Sequence, residues 1–287
     1  MLSRIRNSFF IIITAAVFTL GGCSPERALK QTKTPLPPAT APTQPPQTDL
    51  PPTQPDPTES GIWDVRDIDI SKIDKNRKLI SFTFDDAPLD NLERILAVFL
   101  SYNAEHTDCP AAATLFCNGE YIDDNGFAAL QTAHAMNFEL GNHTHTHKNL
   151  STLTMEETKA EISQTDEILE RIDGKPHHLL RAPYGRVSDY AKQIAKAPIM
   201  DWYIDTVDWT GVSEEAIYNS VFSNKSSGAI VLMHDGCDPT VEALKRLLPD
   251  LYEAGYQVVS VSQMAKAHDC PLKIGGVYTR ARKPSDR

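Results

Sequence analysis

Apolar runs of strand length alternate with helical patterns through most of the chain beyond residue 60, and this alternation limits the possible folds more than any other feature. Residues 78–84 and 229–233 are apolar runs long enough for buried strands. The first run is followed by residues 92–99, in which apolar side chains recur at helical spacing. Such alternation favours an α/β fold with parallel strands, either a barrel or a doubly wound sheet.

The other predicted elements continue this pattern. Further strands are predicted at residues 112–117, 138–141, 178–181, 200–204 and 257–261. Further helices are predicted at residues 127–136, after Ser188, from Ser213 onward and over residues 244–251. Thr154 and Glu157 form a capping-box pattern, which predicts that a helix begins there and runs to about residue 172.

Reactive side chains follow the predicted strands. In an α/β barrel, the carboxyl ends of the strands carry the active site. We therefore expect these side chains to meet at one edge of the sheet. They are Asp85, Asp86, His143, Arg181, Asp205, Asp208 and His234.

Adjacent carboxylates and a group of histidines suggest metal-assisted hydrolysis. One carboxylate with two imidazoles is a common ligand set for a divalent metal that keeps open positions. Asp85 and Asp86 supply one ligand and a neighbouring base, while His143, His145 and His147 supply imidazoles. One helical turn would bring His143 and His147 to the same side, whereas an extended segment would place all three on one face. From spacing alone, any pair of the three could bind.

Five motifs occur in order between residues 79 and 265. They are Thr83-Phe84-Asp85-Asp86, His143-Thr144-His145-Thr146-His147, Arg181-Ala182-Pro183-Tyr184, Asp205-Thr206-Val207-Asp208-Trp209 and Leu232-Met233-His234-Asp235. With these motifs the chain resembles the polysaccharide deacetylases (carbohydrate esterase family 4, the NodB-homology domain). The resemblance implies a distorted (β/α) barrel of parallel strands, with an active site at their carboxyl ends. It also implies metal-dependent removal of acetyl groups from sugars.

The resemblance assigns the metal ligands and the general base. Asp86, His143 and His147 are the implied ligands. Zinc suits imidazole and oxygen donors, and cobalt or another divalent ion also fits. Asp85 is the implied general base, which takes a proton from the attacking water, and Arg181 is expected to hold Asp85 ionised.

The resemblance also assigns residues to the later part of the reaction. The backbone N–H of Tyr184 is expected to stabilise the tetrahedral oxyanion. His234 is the implied general acid, and Asp208 is expected to orient it and raise its pKa. Trp209 and Tyr184 are the expected substrate-binding residues, with Trp209 as a wall of the acetyl pocket.

Two residues depart from the family pattern. Ala87 stands where the family usually has glycine, so we expect a slightly different turn after Asp86. Gly236 stands where relatives often have an aliphatic residue that lines the acetyl pocket, so we expect a wider or differently shaped pocket.

The leading substrate is an acetylated polysaccharide, with N-acetylglucosamine of peptidoglycan or a chitin-like polymer as the acetylated sugar. The alternatives are an O-acetyl xylan esterase and a carbohydrate-binding relative without turnover. The chain has a net charge of −10 and shows no basic stripe, which argues against a nucleic-acid partner.

The first 60 residues have the composition of an exported precursor. Arg4 and Arg6 precede an apolar segment at residues 9–20, and Leu20-Gly21-Gly22-Cys23 resembles the bacterial lipoprotein signal. We predict a signal peptide over residues 1–22 and lipidation of Cys23; an uncleaved anchor or an ordinary secretory signal is the alternative. Residues 23–60 are rich in Pro and Thr, which predicts an extended linker. Residues 61–287 form the predicted catalytic domain of a membrane-anchored lipoprotein at the cell surface or in the cell envelope.

Four cysteines lie in the predicted catalytic domain. An exported protein can oxidise them, and four cysteines allow three pairings. Our expectation pairs Cys109 with Cys117 and Cys237 with Cys270.

Overall fold

Parallel strands and surrounding helices form the part of the chain that the structure describes. The structure is a computed structural model and describes residues 61–282. The strands are β1 (Lys78–Ala87), β2 (Thr114–Cys117), β3 (Glu139–Asn142), β4 (Ile199–Met200), β5 (Ile204–Asp205), β6 (Ala229–His234), β7 (Tyr256–Val258) and β8 (Val277–Tyr278). The helices are α1 (Leu92–Glu105), α2 (Asp124–Ala135), α3 (Met155–Asp173), α4 (Asp189–Ile194), α5 (Glu214–Asn224), α6 (Asp238–Glu253) and α7 (Val261–Ala267).

The predicted signal peptide, the lipidation of Cys23 and the linker lie outside the described residues and stay predictions. Within residues 61–282, no helix is both long and apolar enough to cross a lipid bilayer.

β1 is the centre of the main sheet. The strand order is β3-β2-β1-β6-β5, β7 pairs with the amino end of β1, and every pair is parallel. Beyond β3, Leu180 bridges in parallel to both Asn142 and Ile199, which continues the hydrogen bonding to β4 and its partner β8. The resulting curved sheet has the α/β architecture of a distorted barrel. This confirms the predicted fold class.

Helices cover the sheet with the apolar faces that the sequence pattern indicates. α1 buries Leu92, Ile95, Leu96 and Phe99, and α6 buries Leu244, Leu247, Leu248 and Leu251. These side chains share the largest core cluster with residues of β1 and β6, including Phe82 and Val231. Burying side chains of this size stabilises the fold by roughly 1.5–3 kcal/mol each. The core therefore fixes the strands whose ends carry the reactive groups.

Two predicted strands differ in the structure. Residues 178–181 contain only the single bridging residue Leu180 rather than a strand. Residues 200–204 are divided between β4 and β5, because the two segments bond to different partners. The amide of Asp201 donates to Tyr278, whereas the amide of Tyr203 donates to Ile230. The intervening turn carries Trp202, which becomes important at the site.

Helix α3 begins as predicted. Thr154 and Glu157 form the reciprocal capping box, and Gly174 ends the helix in the left-handed conformation. The helix therefore has fixed ends, and it packs beside β3 and the loop that follows that strand.

The expected disulfides are wrong, because Cys109, Cys117 and Cys237 are all thiols. Cys109 precedes β2 and Cys117 ends it, so extended chain of about 3.3 Å per residue separates them. Cys237 follows the carboxyl end of β6, whereas Cys270 packs in a core cluster with Leu79 near the amino end of β1. A disulfide needs Cα atoms within about 7 Å of each other.

Candidate active site

The predicted reactive side chains meet at the carboxyl edge of the sheet. Asp85 near the end of β1 lies opposite His234, the last residue of β6. His143 follows β3, and Arg181 follows the bridging residue Leu180. The convergence follows from the parallel topology, because the carboxyl ends of neighbouring strands lie together.

Asp85 and Arg181 form a buried ion pair. Nη1 of Arg181 donates to Oδ1 of Asp85 at 2.7 Å, although 96 residues separate them in the sequence. Arg181 is fully buried, and its other donors reach the Thr83 hydroxyl and the carbonyl oxygens of Met200 and Asp201. Burial alone would raise the pKa of Asp85, but the Arg181 charge holds it below its ordinary value. Asp85 is therefore an ionised carboxylate that Arg181 holds in one orientation.

Asp86, His143 and His147 form a cluster that can hold a metal ion. One ligand atom from each residue lies within 4.8 Å of the others. Oδ1 of Asp86 is 3.9 Å from Nε2 of His143 and 3.6 Å from Nε2 of His147. Two donors that each lie about 2.1 Å from a tetrahedral metal are roughly 3.4 Å apart, so only small adjustments are needed. The donor set thus fits a divalent cation.

The surroundings of His143 leave the correct nitrogen available to a metal. Nδ1 of His143 is 2.9 Å from the carbonyl oxygen of Arg181, so this nitrogen carries the proton and donates. The lone pair is then on Nε2, the atom that faces Asp86. Burial lowers the pKa of His143 and favours the neutral ring that a metal requires.

Left-handed backbone is concentrated in the loops around the site. Such conformations are uncommon for residues other than glycine and often mark functional positions. The loop residues with positive φ are Asp86 (63°), Thr144 (70°), His147 (53°), Tyr184 (60°) and Val207 (50°). His143 and His147 therefore converge through a left-handed loop, which is neither the helical turn nor the extended segment considered from the sequence.

His145 takes no part in the ligand cluster. Its Nδ1 is buried beside Gly119 and Thr165, where a methyl group added to Gly119 would stand 2.3 Å from that nitrogen. The structure thus decides between the three histidines that sequence spacing left open, and it brings His143 and His147 to Asp86.

His234 is held by Asp208. Oδ1 of Asp208 accepts from Nδ1 of His234 at 2.7 Å, and Oδ2 accepts from the backbone N–H of His234 and from the Thr240 hydroxyl. Burial alone would lower the pKa of His234, but the bond to Asp208 and the charge of Asp85 raise it. The proton bound to Nδ1 leaves Nε2 as the atom that can exchange a proton with a substrate.

The ligand cluster and His234 line one cavity of about 400 Å³. Trp209 and Tyr184 are both 64% exposed at its rim, so two aromatic rings are available to a sugar. Leu232 and Trp202 form apolar parts of the wall. The lining residues are Asp85, Asp86, His143, His147, Tyr184, Trp202, Asp205, Trp209, Leu232 and His234.

Comparison with known proteins identifies the family. The polysaccharide deacetylase family model matches residues 72–200. A peptidoglycan-N-acetylglucosamine deacetylase of Bacillus cereus is 32% identical over 204 residues, which cover 68% of this chain and 92% of that protein. The chain belongs to the polysaccharide deacetylase family.

Other members of the polysaccharide deacetylase family cover a similar region. A second B. cereus protein of the same name is 31% identical over 197 residues, covering 66% of this chain and 69% of that protein. A chitooligosaccharide deacetylase of Azorhizobium caulinodans is 30% identical over 208 residues, which cover 65% of this chain and 94% of that protein. The solved peptidoglycan deacetylase PdaC from Bacillus subtilis is 29% identical with a TM-score of 0.63, covering 69% of this chain and 94% of that one.

Membership confirms that this polysaccharide deacetylase is a hydrolase whose substrate class is acetylated polysaccharide. The family is metal-dependent, and Asp86, His143 and His147 provide a site that could hold the ion. The identity of the metal and the roles of single side chains stay predictions.

The structure places the two departures from the polysaccharide deacetylase pattern close to the site. Asp86 takes the left-handed conformation, and Ala87, which follows it, is buried. A Cβ atom added to Gly236 would contact Leu89, and the expected change in the shape of the acetyl pocket stays a prediction.

Sequence reasoning missed Leu232 and Trp202 as cavity residues. Leu232 could have been found, because it stands two residues before His234 on β6 and alternate strand residues share a face. Trp202 carried no such signal, because its position depends on the division of residues 200–204 between two strands.

Proposed function

We propose that the chain removes acetyl groups from N-acetylglucosamine residues of a polysaccharide, either peptidoglycan or a chitin-like polymer. The observation that carries this proposal is that two kinds of reactive group line one cavity. Asp85, which Arg181 binds, and the ligand cluster line it together with His234, which Asp208 binds. A base and an acid beside one substrate suit amide hydrolysis.

Asp85 acts as the general base in this proposal. A metal bound to Asp86, His143 and His147 supplies a Lewis acid that polarises the acetyl carbonyl and promotes ionisation of a water. Oδ2 of Asp85 is 3.5 Å from Nε2 of His143, so the base lies next to the ligand cluster. Asp85 takes a proton from the water as the water oxygen bonds to the carbonyl carbon. Arg181 keeps Asp85 ionised and prevents it from turning away.

His234 acts as the general acid in the second half of the reaction. Attack of the water turns the acetyl carbonyl oxygen into an oxyanion, which accepts a hydrogen bond from the backbone N–H of Tyr184. When the C–N bond breaks, Nε2 of His234 donates a proton to the departing amine, and acetate and a free amino sugar result. Asp208 stabilises the protonated imidazole that this step requires.

The Asp208–His234 pair favours an N-acetyl over an O-acetyl substrate. An amine leaves only after protonation, whereas an ester oxygen needs less help from an acid. The raised pKa of His234 keeps the acid protonated at higher pH, as amide hydrolysis demands. The same pair argues against a binding protein without turnover, which would not need it.

The test is acetate release by the purified protein from N-acetylglucosamine oligomers, with zinc and with a chelator. We expect release that depends on the metal and is lost in Asp85→Asn. That variant should still bind metal, because Asp86 and not Asp85 belongs to the ligand cluster. If acetate is released from O-acetyl xylan and not from N-acetylglucosamine oligomers, the protein is an O-acetyl xylan esterase and the proposal fails.

Zinc is the metal that we propose for the site. Two neutral imidazoles and one carboxylate are a known zinc ligand set with an open position for water. Metal analysis of protein purified without added metal tests this choice, and cobalt or another divalent ion is the opposing outcome.

We further propose that Cys23 carries a lipid that anchors the protein to a membrane at the cell surface. The support is the sequence pattern at residues 4–23. A linker that reaches on the order of 90 Å would let the enzyme work on a nearby wall. Cys23→Ser should release the protein from the membrane fraction, and retention there would contradict lipidation.

A further inference from the structure

The loop that carries His147 needs support from outside itself. We call residues 143–148 the ligand loop. Thr144 and His147 both have positive φ, at 70° and 53°. Non-glycine residues keep such conformations only when surrounding contacts enforce them, because each costs of order 1–3 kcal/mol. The position of the His147 ring therefore depends on whatever holds this backbone.

Glu161 of α3 makes the contacts that hold the middle of the ligand loop. Its Oε2 accepts from the backbone N–H groups of His145 at 3.1 Å and Thr146 at 2.8 Å. Its Oε1 accepts from the Thr146 hydroxyl at 2.5 Å and lies 3.3 Å from Nζ of Lys148. The Glu161 residue is 6% exposed, so these bonds are shielded from water. One carboxylate thus binds two consecutive residues of the loop, His145 and Thr146, and the residue after His147.

Helix α3 also anchors the start of the same loop. The backbone N–H of Thr144 donates to Oδ1 of Asn142 at 2.8 Å. Nδ2 of Asn142 in turn donates to Asp166 and to the carbonyl oxygen of Ile162, both on α3. Helix α3 thus holds the loop at two places, and the backbone N–H groups of Gly119 and Glu120 also donate to the carbonyl oxygens of Thr144 and His145. Among the α3 contacts, those of Glu161 are nearest to His147.

We propose that Glu161 is a positioning residue of the metal site, which sets the left-handed turn that brings Nε2 of His147 to within 3.6 Å of Asp86. Glu161 acts through the backbone N–H groups of residues 145 and 146 rather than through a ligand side chain. The inference rests on the proposed assignment of Asp86, His143 and His147 as ligands.

The test measures metal affinity and does not use the enzyme reaction. Protein stripped with a chelator is titrated with zinc against a competing chelator, and with cobalt while visible absorption is recorded. Glu161→Ala removes all the carboxylate contacts, and we expect affinity to fall about 10–100-fold. Glu161→Gln keeps one acceptor oxygen, so it should recover part of that loss and show a cobalt spectrum close to that of the unchanged protein.

Glu157→Ala is the matched control. Glu157 lies one helical turn earlier on α3, is exposed, and caps the helix through Thr154. Its loss should lower stability without changing metal affinity. Unchanged affinity in folded Glu161→Ala, or an equal loss in Glu157→Ala, would overturn the proposal. If Glu161→Ala does not fold, a metal affinity in Glu161→Gln equal to that of the unchanged protein would overturn the proposal as well, because only part of the loss should be recovered.

The ligand assignment is checked separately by His147→Ala. If the unchanged protein binds one metal and His147→Ala does not, the assignment stands and the Glu161 result can be interpreted on its own. If His147→Ala still binds metal as tightly, the ligand assignment fails, and with it the positioning role.

Discussion

Replacing Arg181 by methionine should destabilise the protein mainly through the charge that it leaves behind. Arg181 is fully buried, and its guanidinium bonds to Asp85 at 2.7 Å as well as to a hydroxyl and two carbonyl oxygens. Methionine fills a similar space but donates no hydrogen bonds. Removing one partner of a buried ion pair typically costs about 3–5 kcal/mol of unfolding free energy. At about pH 7 we expect the unfolding free energy of Arg181→Met to be about 3–5 kcal/mol lower than that of the unchanged protein.

The loss should depend on pH with a definite sign. The pKa of Asp85 lies below its ordinary value in the folded protein, so its ionisation stabilises the fold above the unfolded pKa. That stabilisation is lost as pH falls through the folded pKa. In Arg181→Met, burial is no longer offset by the guanidinium, and the pKa of Asp85 should rise. The variant should therefore be closer in stability to the unchanged protein at about pH 4.5 than at about pH 7.

A double-mutant cycle with Asp85→Asn separates the charge from the lost packing. The amide at residue 85 leaves no buried charge, so Arg181→Met/Asp85→Asn should be more stable than Arg181→Met alone at about pH 7, by roughly 1–3 kcal/mol. Urea unfolding of chelator-treated protein, followed by circular dichroism, measures all four forms. The reasoning would be refuted if the losses of unfolding free energy in Arg181→Met and Asp85→Asn simply added up in the double variant. It would also be refuted if Arg181→Met lost the same unfolding free energy at both pH values.

Three further changes test the acid, the choice of histidine and the packing under the ligand loop. Asp208→Asn should reduce kcat about 10²–10⁴-fold and move the alkaline limb of the pH–kcat profile to lower pH, because the carboxylate raises the pKa of His234. An alkaline limb at the same pH in Asp208→Asn would contradict the role of Asp208 in raising the pKa of His234. His145→Ala should keep one equivalent of metal by titration, while His147→Ala loses it; equal binding or equal loss would contradict the assignment. Gly119→Ala would place a methyl group 2.3 Å from Nδ1 of His145 and should cost about 1–3 kcal/mol in urea unfolding. Wild-type stability in that variant, or no recovery when it is combined with His145→Ala, would contradict the packing argument.

The sequence by itself determined the fold class and the edge at which the site lies. Apolar runs and helical spacing are local properties, and they predicted β1, β6 and the buried faces of α1 and α6. The reactive residues came next to the ends of these runs, so a parallel sheet had to bring them together. Spacing also predicted the capping box that begins α3.

Only the tertiary structure decided which groups face one another. Asp85 meets Arg181 and His234 meets Asp208 through strand pairing and long-range hydrogen bonds, which local pattern does not contain. The disulfide prediction failed for the same reason, because spacing along the chain says little about distance across a sheet.

The choice among the three histidines shows this limit most directly. Positive φ at Thr144 and His147 turns His145 away and brings the His147 ring to Asp86. That backbone is unfavourable by itself, and we infer that it persists because Glu161 of α3, 15 residues after Thr146, binds it. A local sequence pattern therefore offers candidate ligands, and contacts between distant elements select the pair that meets.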